Sequence, residues 1–137
     1  MLKSNSLIWA ALLVAIPAAA SAYRAPNYLK VNGMAGDTFE VISQAGTSNA
    51  QFWCAAGDYA FHRLRAGSTQ RIYIQSGRGP SQTAPGARAV TFSLTPPAGV
   101  DTDAARNTIT LSVRRVGDNL SVAFAAQYCQ DLLLKDP

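Results

Sequence analysis

The chain has one histidine, His62, and only two cysteines, Cys54 and Cys129, among its 137 residues. A metal centre built from thiolates and imidazoles needs about four ligands at short spacing, so no metal site is expected. Dithiol redox chemistry uses a close pair such as Cys-x-x-Cys, and neither cysteine has such a neighbour. There is no Gly-x-Ser-x-Gly turn to present a nucleophile. No Gly-Lys-Ser/Thr follows a glycine-rich segment, so a phosphate-cradling nucleotide loop is absent. Nor is there the run of about twenty apolar residues that a membrane-spanning helix requires. Charge is sparse, at 15% of residues. The cations are scattered from Arg24 to Lys135, and only Arg63/Arg65 and Arg114/Arg115 lie close together. Nucleic-acid binders concentrate such charge into a patch or stripe, so nucleic acid is not an expected partner. Nothing implies a cofactor.

What is present begins with an export signal. Lys3 precedes an apolar run from Leu7 to Ile16, Pro17 breaks it, and Ala20-Ser21-Ala22 offers small residues for cleavage after Ala22. The run is too short to span a bilayer, and no cysteine stands at the junction to take a lipid. The expected division is a signal peptide over residues 1–22 and one globular domain over 23–137, periplasmic or secreted, with no stable membrane insertion after cleavage. The remaining 115 residues suit a single core.

In an oxidising compartment two cysteines are expected to pair. Cys54 and Cys129 are 75 positions apart, so a bridge between them would tie the middle of the chain to its end.

The periodicity divides the chain further. Tyr28–Val31 and Thr38–Ser43 read as short strands. Thr47-Ser48-Asn49 supplies helix N-caps, and Gly67 a stop. Between them, Phe52, Trp53, Ala56, Ala60, Phe61 and Leu64 form an apolar arc with Cys54 at its edge, while Gln51, Asp58, His62 and Arg65 fall opposite. Beyond Gly67 the period becomes two, over Arg71–Gln75, Ala89–Leu94, Thr108–Val113 and Leu120–Phe124. Val116-Gly117-Asp118-Asn119 predicts a hairpin between the last two. The fold class is therefore α+β: one amphipathic helix packed on an antiparallel sheet of about six strands, in a single disulfide-stapled domain.

Three places could carry chemistry. Asp58 and His62, four apart on a helix, are neighbours on its polar face, where a carboxylate can orient an imidazole base. A surface pair facing water is the simpler reading, since no nucleophile accompanies them. Ser76–Gly86, rich in glycine and proline, predicts a stiffened loop, Gly77–Gly86. It would present Arg78 and Ser81 outward as binding candidates, with Arg78 suited to a carboxylate or an anionic sugar. Asp101 and Asp103 sit two apart but lack the glycine and closing glutamate of a calcium loop.

The stretches Gln51-Phe52-Trp53-Cys54-Ala55-Ala56-Gly57-Asp58-Tyr59-Ala60, Arg78-Gly79-Pro80-Ser81 and Val90-Thr91-Phe92-Ser93-Leu94 together resemble a family of small exported proteins of alphaproteobacteria. That resemblance implies the periplasm and supplies no catalytic residue. The expected function is a non-enzymatic module that binds a protein or an anionic ligand. The alternative is a small hydrolase using His62 and Asp58.

Overall fold

The computed structural model describes residues 22–106 and 110–133, together with Ala11. The expected signal peptide falls outside the described residues, apart from Ala11 and Ala22. The elements run β1 (Tyr23–Arg24), β2 (Lys30–Gly33), β3 (Thr38–Ile42), α1 (Asn49–His62), β4 (Arg71–Pro80), β5 (Arg88–Ser93), α2 (Thr102–Arg106), β6 (Asn119–Ser121) and α3 (Val122–Leu133). The six strands form one antiparallel sheet in the order β1-β2-β3-β5-β4-β6. An α+β fold with an antiparallel sheet of six strands is what the alternation of periods predicts.

Register places the apolar residues of the central strands on one face. Phe39 lies opposite Phe92, Val41 opposite Val90, and Ile74 opposite Phe92. On that face Trp53 meets the edge of Phe92 at 5.1 Å between ring centroids, and Phe39 packs on Tyr59 at 4.7 Å. Buried aromatic contacts of this kind add to the stabilisation from apolar area. Trp53 also donates its indole N–H to the Leu111 carbonyl at 3.1 Å, so its one polar atom is satisfied. Gly33, on β2, leaves room for the end of the Tyr59 side chain: a Cβ there would stand 2.7 Å from the Tyr59 hydroxyl.

Helix α1 begins where the caps predict. The Ser48 side chain accepts from the Gln51 N–H while the Gln51 side chain accepts from the Ser48 N–H, a reciprocal capping box. It ends at His62, before Gly67. Arg65 takes the left-handed turn at φ 56°, and the Ala66 N–H closes back on Ala60.

The end of the chain differs from expectation. Of Leu120–Phe124, only Leu120 and Ser121 are strand, as part of β6. Pairing with β4 stops at Ser121, whose hydroxyl accepts the Phe124 N–H and so starts α3. Val122, Ala125 and Cys129 recur at helical spacing, and over five residues this reads equally well as alternation. The helical reading wins because it lays α3 against α1. The predicted hairpin is absent as well. Gly117 does take positive φ, 93°, but residues 117 and 118 hydrogen-bond to Ile74 on β4. Of the expected strand Thr108–Val113, residues 108 and 109 lie outside the described residues and 110–113 are not in a strand.

Helix α3 changes what α1 buries. At Gly57 a Cβ would stand 2.6 Å from the Ala126 nitrogen, so the α1 and α3 backbones meet there. Three residues earlier on α1, Cys54 is bonded to Cys129 of α3 (S–S 2.09 Å, Cα–Cα 4.9 Å). The helix is thus covered on two sides. Among the described residues no helix is long and apolar enough to cross a membrane.

Candidate functional site

The hairpin formed by β4 and β5 carries the residues singled out as binding candidates. The expected Gly77–Gly86 loop is strand as far as Pro80, and the turn spans 81–87. Two register shifts interrupt the ladder, between Ile74 and Ser76 and between Ser76 and Gly79. Extra residues on one strand bend it and increase its twist. Here the bend brings the hairpin tip over the second face of the sheet, onto β3 and β2.

Glu40, on β3, receives that tip. It lies opposite Asn32 and Thr91, on the face away from α1, and is completely buried. Its carboxylate accepts from the Ser81 and Thr83 hydroxyls and from the backbone N–H groups of Gln82 (3.1 Å) and Thr83 (2.8 Å). Asn32 adds a bond from its amide to the Thr83 hydroxyl at 2.7 Å. Burial alone would raise the Glu40 pKa, but the donors at Ser81, Thr83 and Gln82 outweigh it and hold the carboxyl below its ordinary range. The Ser81 hydroxyl also accepts the Ala84 N–H at 2.8 Å, so its bonds are made inside the fold. Nothing in the local pattern of Thr38–Ile42 marks Glu40, because a polar residue alternating in a strand ordinarily faces water.

Arg78 does not project freely. Its side chain is exposed at one edge, but the guanidinium lies 4.7 Å above the Phe52 ring. Its Nη2 donates to the Thr47 carbonyl at 2.9 Å and to Asn49 Oδ1 at 3.2 Å. These contacts hold it at the N-terminal end of α1, an ordered position rather than a mobile one. Beside it opens a cavity of about 560 Å3 lined by Ser76, Gly77, Arg78, Gly79, Arg88 and Arg114. Gly77 accounts for Arg114 being there: a Cβ at 77 would stand 2.7 Å from the Arg114 carbonyl oxygen, so only glycine lets residues 113 and 114 lie against the bulged strand. Three arginines from three separate segments therefore line one cleft, and no carboxylate is among its described lining residues. The two ion pairs among the described residues, His62–Asp58 and Arg115–Asp118, involve none of them. Sequence reading singled out Arg78 alone. The adjacent Arg114/Arg115 pair was a faint signal, and Arg88 left none.

A second cluster lies toward the other end of α1. Asp58 is buried, not turned to water, because Tyr23 of β1 covers it and donates its hydroxyl to Asp58 Oδ2. The wheel could not show this, since the first residues after the expected cleavage site carry no obvious pattern. His62 is half-exposed, with Nδ1 3.1 Å from Asp58 Oδ1. The hydrogen bond at Nδ1, however, is to the Asp58 backbone carbonyl at 3.1 Å, so the helix backbone holds the imidazole with the carboxylate beside it. The cavity beside it, about 440 Å3, is lined by Phe61, His62, Arg65 and Ala66. None of these supplies a hydroxyl or a thiol to act as nucleophile.

Burial, the bond to Asp58 and the nearby Asp58 charge push the Tyr23 pKa up to about 12, against a lesser opposing effect of Arg63. Arg63 stacks 5.1 Å from the Tyr23 ring. Between pH 10 and 12 the unfolded chain releases this proton while the native state retains it, so stability falls as pH rises through that window. Tyr23→Phe should flatten the decline, measured as denaturation midpoint against pH; an equally steep decline would place its origin elsewhere.

Comparison with protein-family models, with curated proteins and with solved structures gave no match.

Proposed function

We propose that this protein is an exported, non-enzymatic binding module that recognises an anionic group at the Arg78–Arg88–Arg114 cleft. The observation that carries this reading is that three arginines line one open cavity with no carboxylate among its described lining residues. Guanidinium forks suit carboxylate, sulfate and phosphate groups alike. Arg78 is already held in place by Thr47, Asn49 and Phe52, which lowers the ordering cost of binding. Export is supported by the leader-like first 22 residues and by a disulfide, which persists in oxidising compartments. The His62–Asp58 pair, with no nucleophile among the described residues lining its cavity, supports hydrolysis less well.

The reading is tested by titrating isotope-labelled protein with sulfate, succinate and phosphate while following backbone amide resonances. Shifts should concentrate at Gly77 and Gly79 and shrink in Arg78→Ala. That variant also loses contacts worth about 1 kcal/mol, so its melting point should drop by a few degrees. Anion-induced shifts centred on His62, or none at all, would overturn the reading.

A further inference from the structure

We infer that the group bound in the arginine cleft is a phosphate monoester, an inference that rests on the cleft being the binding site. Charge is the first reason. The described lining residues include three arginines and no acid. A carboxylate or a sulfate ester brings one negative charge, whereas a phosphate monoester brings about −1.5 to −2 at neutral pH. The dianion is the better match to three guanidiniums.

Donor geometry is the second reason. Each guanidinium offers five N–H donors and no acceptor. Arg78 commits Nη2 to Thr47 and Asn49, while the guanidiniums of Arg88 and Arg114 make no hydrogen bond among the described residues. The three arginines stand on β4, at the start of β5 and in the segment following Val113, so their donors belong to three separate elements. A carboxylate has two coplanar oxygens, which a single fork satisfies. The three terminal oxygens of a phosphate monoester point three ways and can engage forks from separate elements.

Size is the third reason. A cavity of about 560 Å3 is far larger than a bare phosphate, and Gly77 and Gly79 place no side chain in its wall. There is room for the organic body that a monoester carries.

The experiment is calorimetric titration of the disulfide-bonded protein with glycerol 3-phosphate, glycerol sulfate and glycerate at pH 7.5. The phosphate monoester should bind about tenfold more tightly than either singly charged analogue, the effect of one further charge at this range. Its affinity should fall severalfold between pH 7.5 and 5.5, as the ligand takes up its second proton near pH 6. Repeating the series in His62→Ala controls for the protein's one histidine. Arg114→Ala and Arg88→Ala should each weaken binding about tenfold with the melting temperature unchanged, because neither side chain packs on the core. Vesicles test the lipid source. Arg114-dependent binding to phosphatidic acid vesicles, with glycerol 3-phosphate too weak to compete, would assign the same phosphate chemistry to a headgroup. Equal binding to phosphatidylglycerol vesicles, or equal affinity for the sulfate or the carboxylate, would overturn the monoester while leaving the anion cleft in place. No binding of any probe, free or on vesicles, would overturn both.

Discussion

Glu40→Gln should destabilise the protein by about 2–4 kcal/mol, nearly as much as Glu40→Ala, although glutamine preserves size and shape. Four donors converge on the carboxylate, from Ser81, Gln82 and Thr83. A carboxylate is acceptor-only and can serve all of them. An amide in the same place can keep its oxygen where Oε1 serves Ser81 and Thr83, but then turns its N–H groups toward the Gln82 N–H, which is left with nothing to accept it. The hydroxyls of Ser81 and Thr83 can rotate to accept, but the N–H groups of Gln82 and Thr83 cannot. Equilibrium denaturation of both variants checks this. If glutamine is well tolerated while alanine is not, the site needs volume rather than charge. The wild-type protein should show the matching pH dependence. The Glu40 pKa is lower folded than unfolded, so its contribution is present above the ordinary carboxyl range and is lost as pH falls through the folded value. The hairpin tip also positions the strands that carry Arg78 and Arg88, so either variant should loosen the cleft as well as the fold.

How much of this could be read in advance depended on whether local pattern and tertiary environment agreed. β3 and β5 alternate cleanly because one face packs on α1, and the capping residues of α1 stand where its hydrogen bonds need them. The failures have one common cause. Leu120–Phe124 alternates over five residues, but after Ser121 its cap at Phe124 and the packing of Ala125 against Gly57 turn the chain into α3. Once α3 and β1 are in place, Asp58 is covered, so a wheel that assumes one buried face misplaces it. Glu40 is hidden for a similar reason. A strand's polar face looks solvent-exposed until a bulged hairpin folds over it, and bulges leave little trace in composition. Arg88 and Arg114 are distant from Arg78 in sequence, and only the ladder and the close approach at Gly77 unite them.

Removing the disulfide, as Cys54→Ala with Cys129→Ala, should have the largest effect of any change to this protein. The bridge closes a loop of 75 residues. In the chain-entropy model a crosslink of that span stabilises by about 4.5 kcal/mol. For a domain of this size that corresponds to a fall in melting temperature of roughly 20 °C or more. The bond joins the two helices next to their closest approach, at Gly57 and Ala126, so the native packing does not need it to find its geometry. Its contribution should therefore reside mainly in the unfolded chain, which without it is freer and more expanded. Denaturant titration can separate the two possibilities. If the constraint acts on the unfolded state, the variant's m-value should rise while the midpoint falls, because unfolding exposes more surface. The native circular dichroism should stay unchanged. A midpoint that falls with no change in m, together with lost near-ultraviolet signal, would mean that the bond holds α3 onto α1 directly. In that case Asp58 and Tyr23, on the same helix and its neighbouring strand, would loosen too, and the alkaline transition of Tyr23 would move toward pH 10.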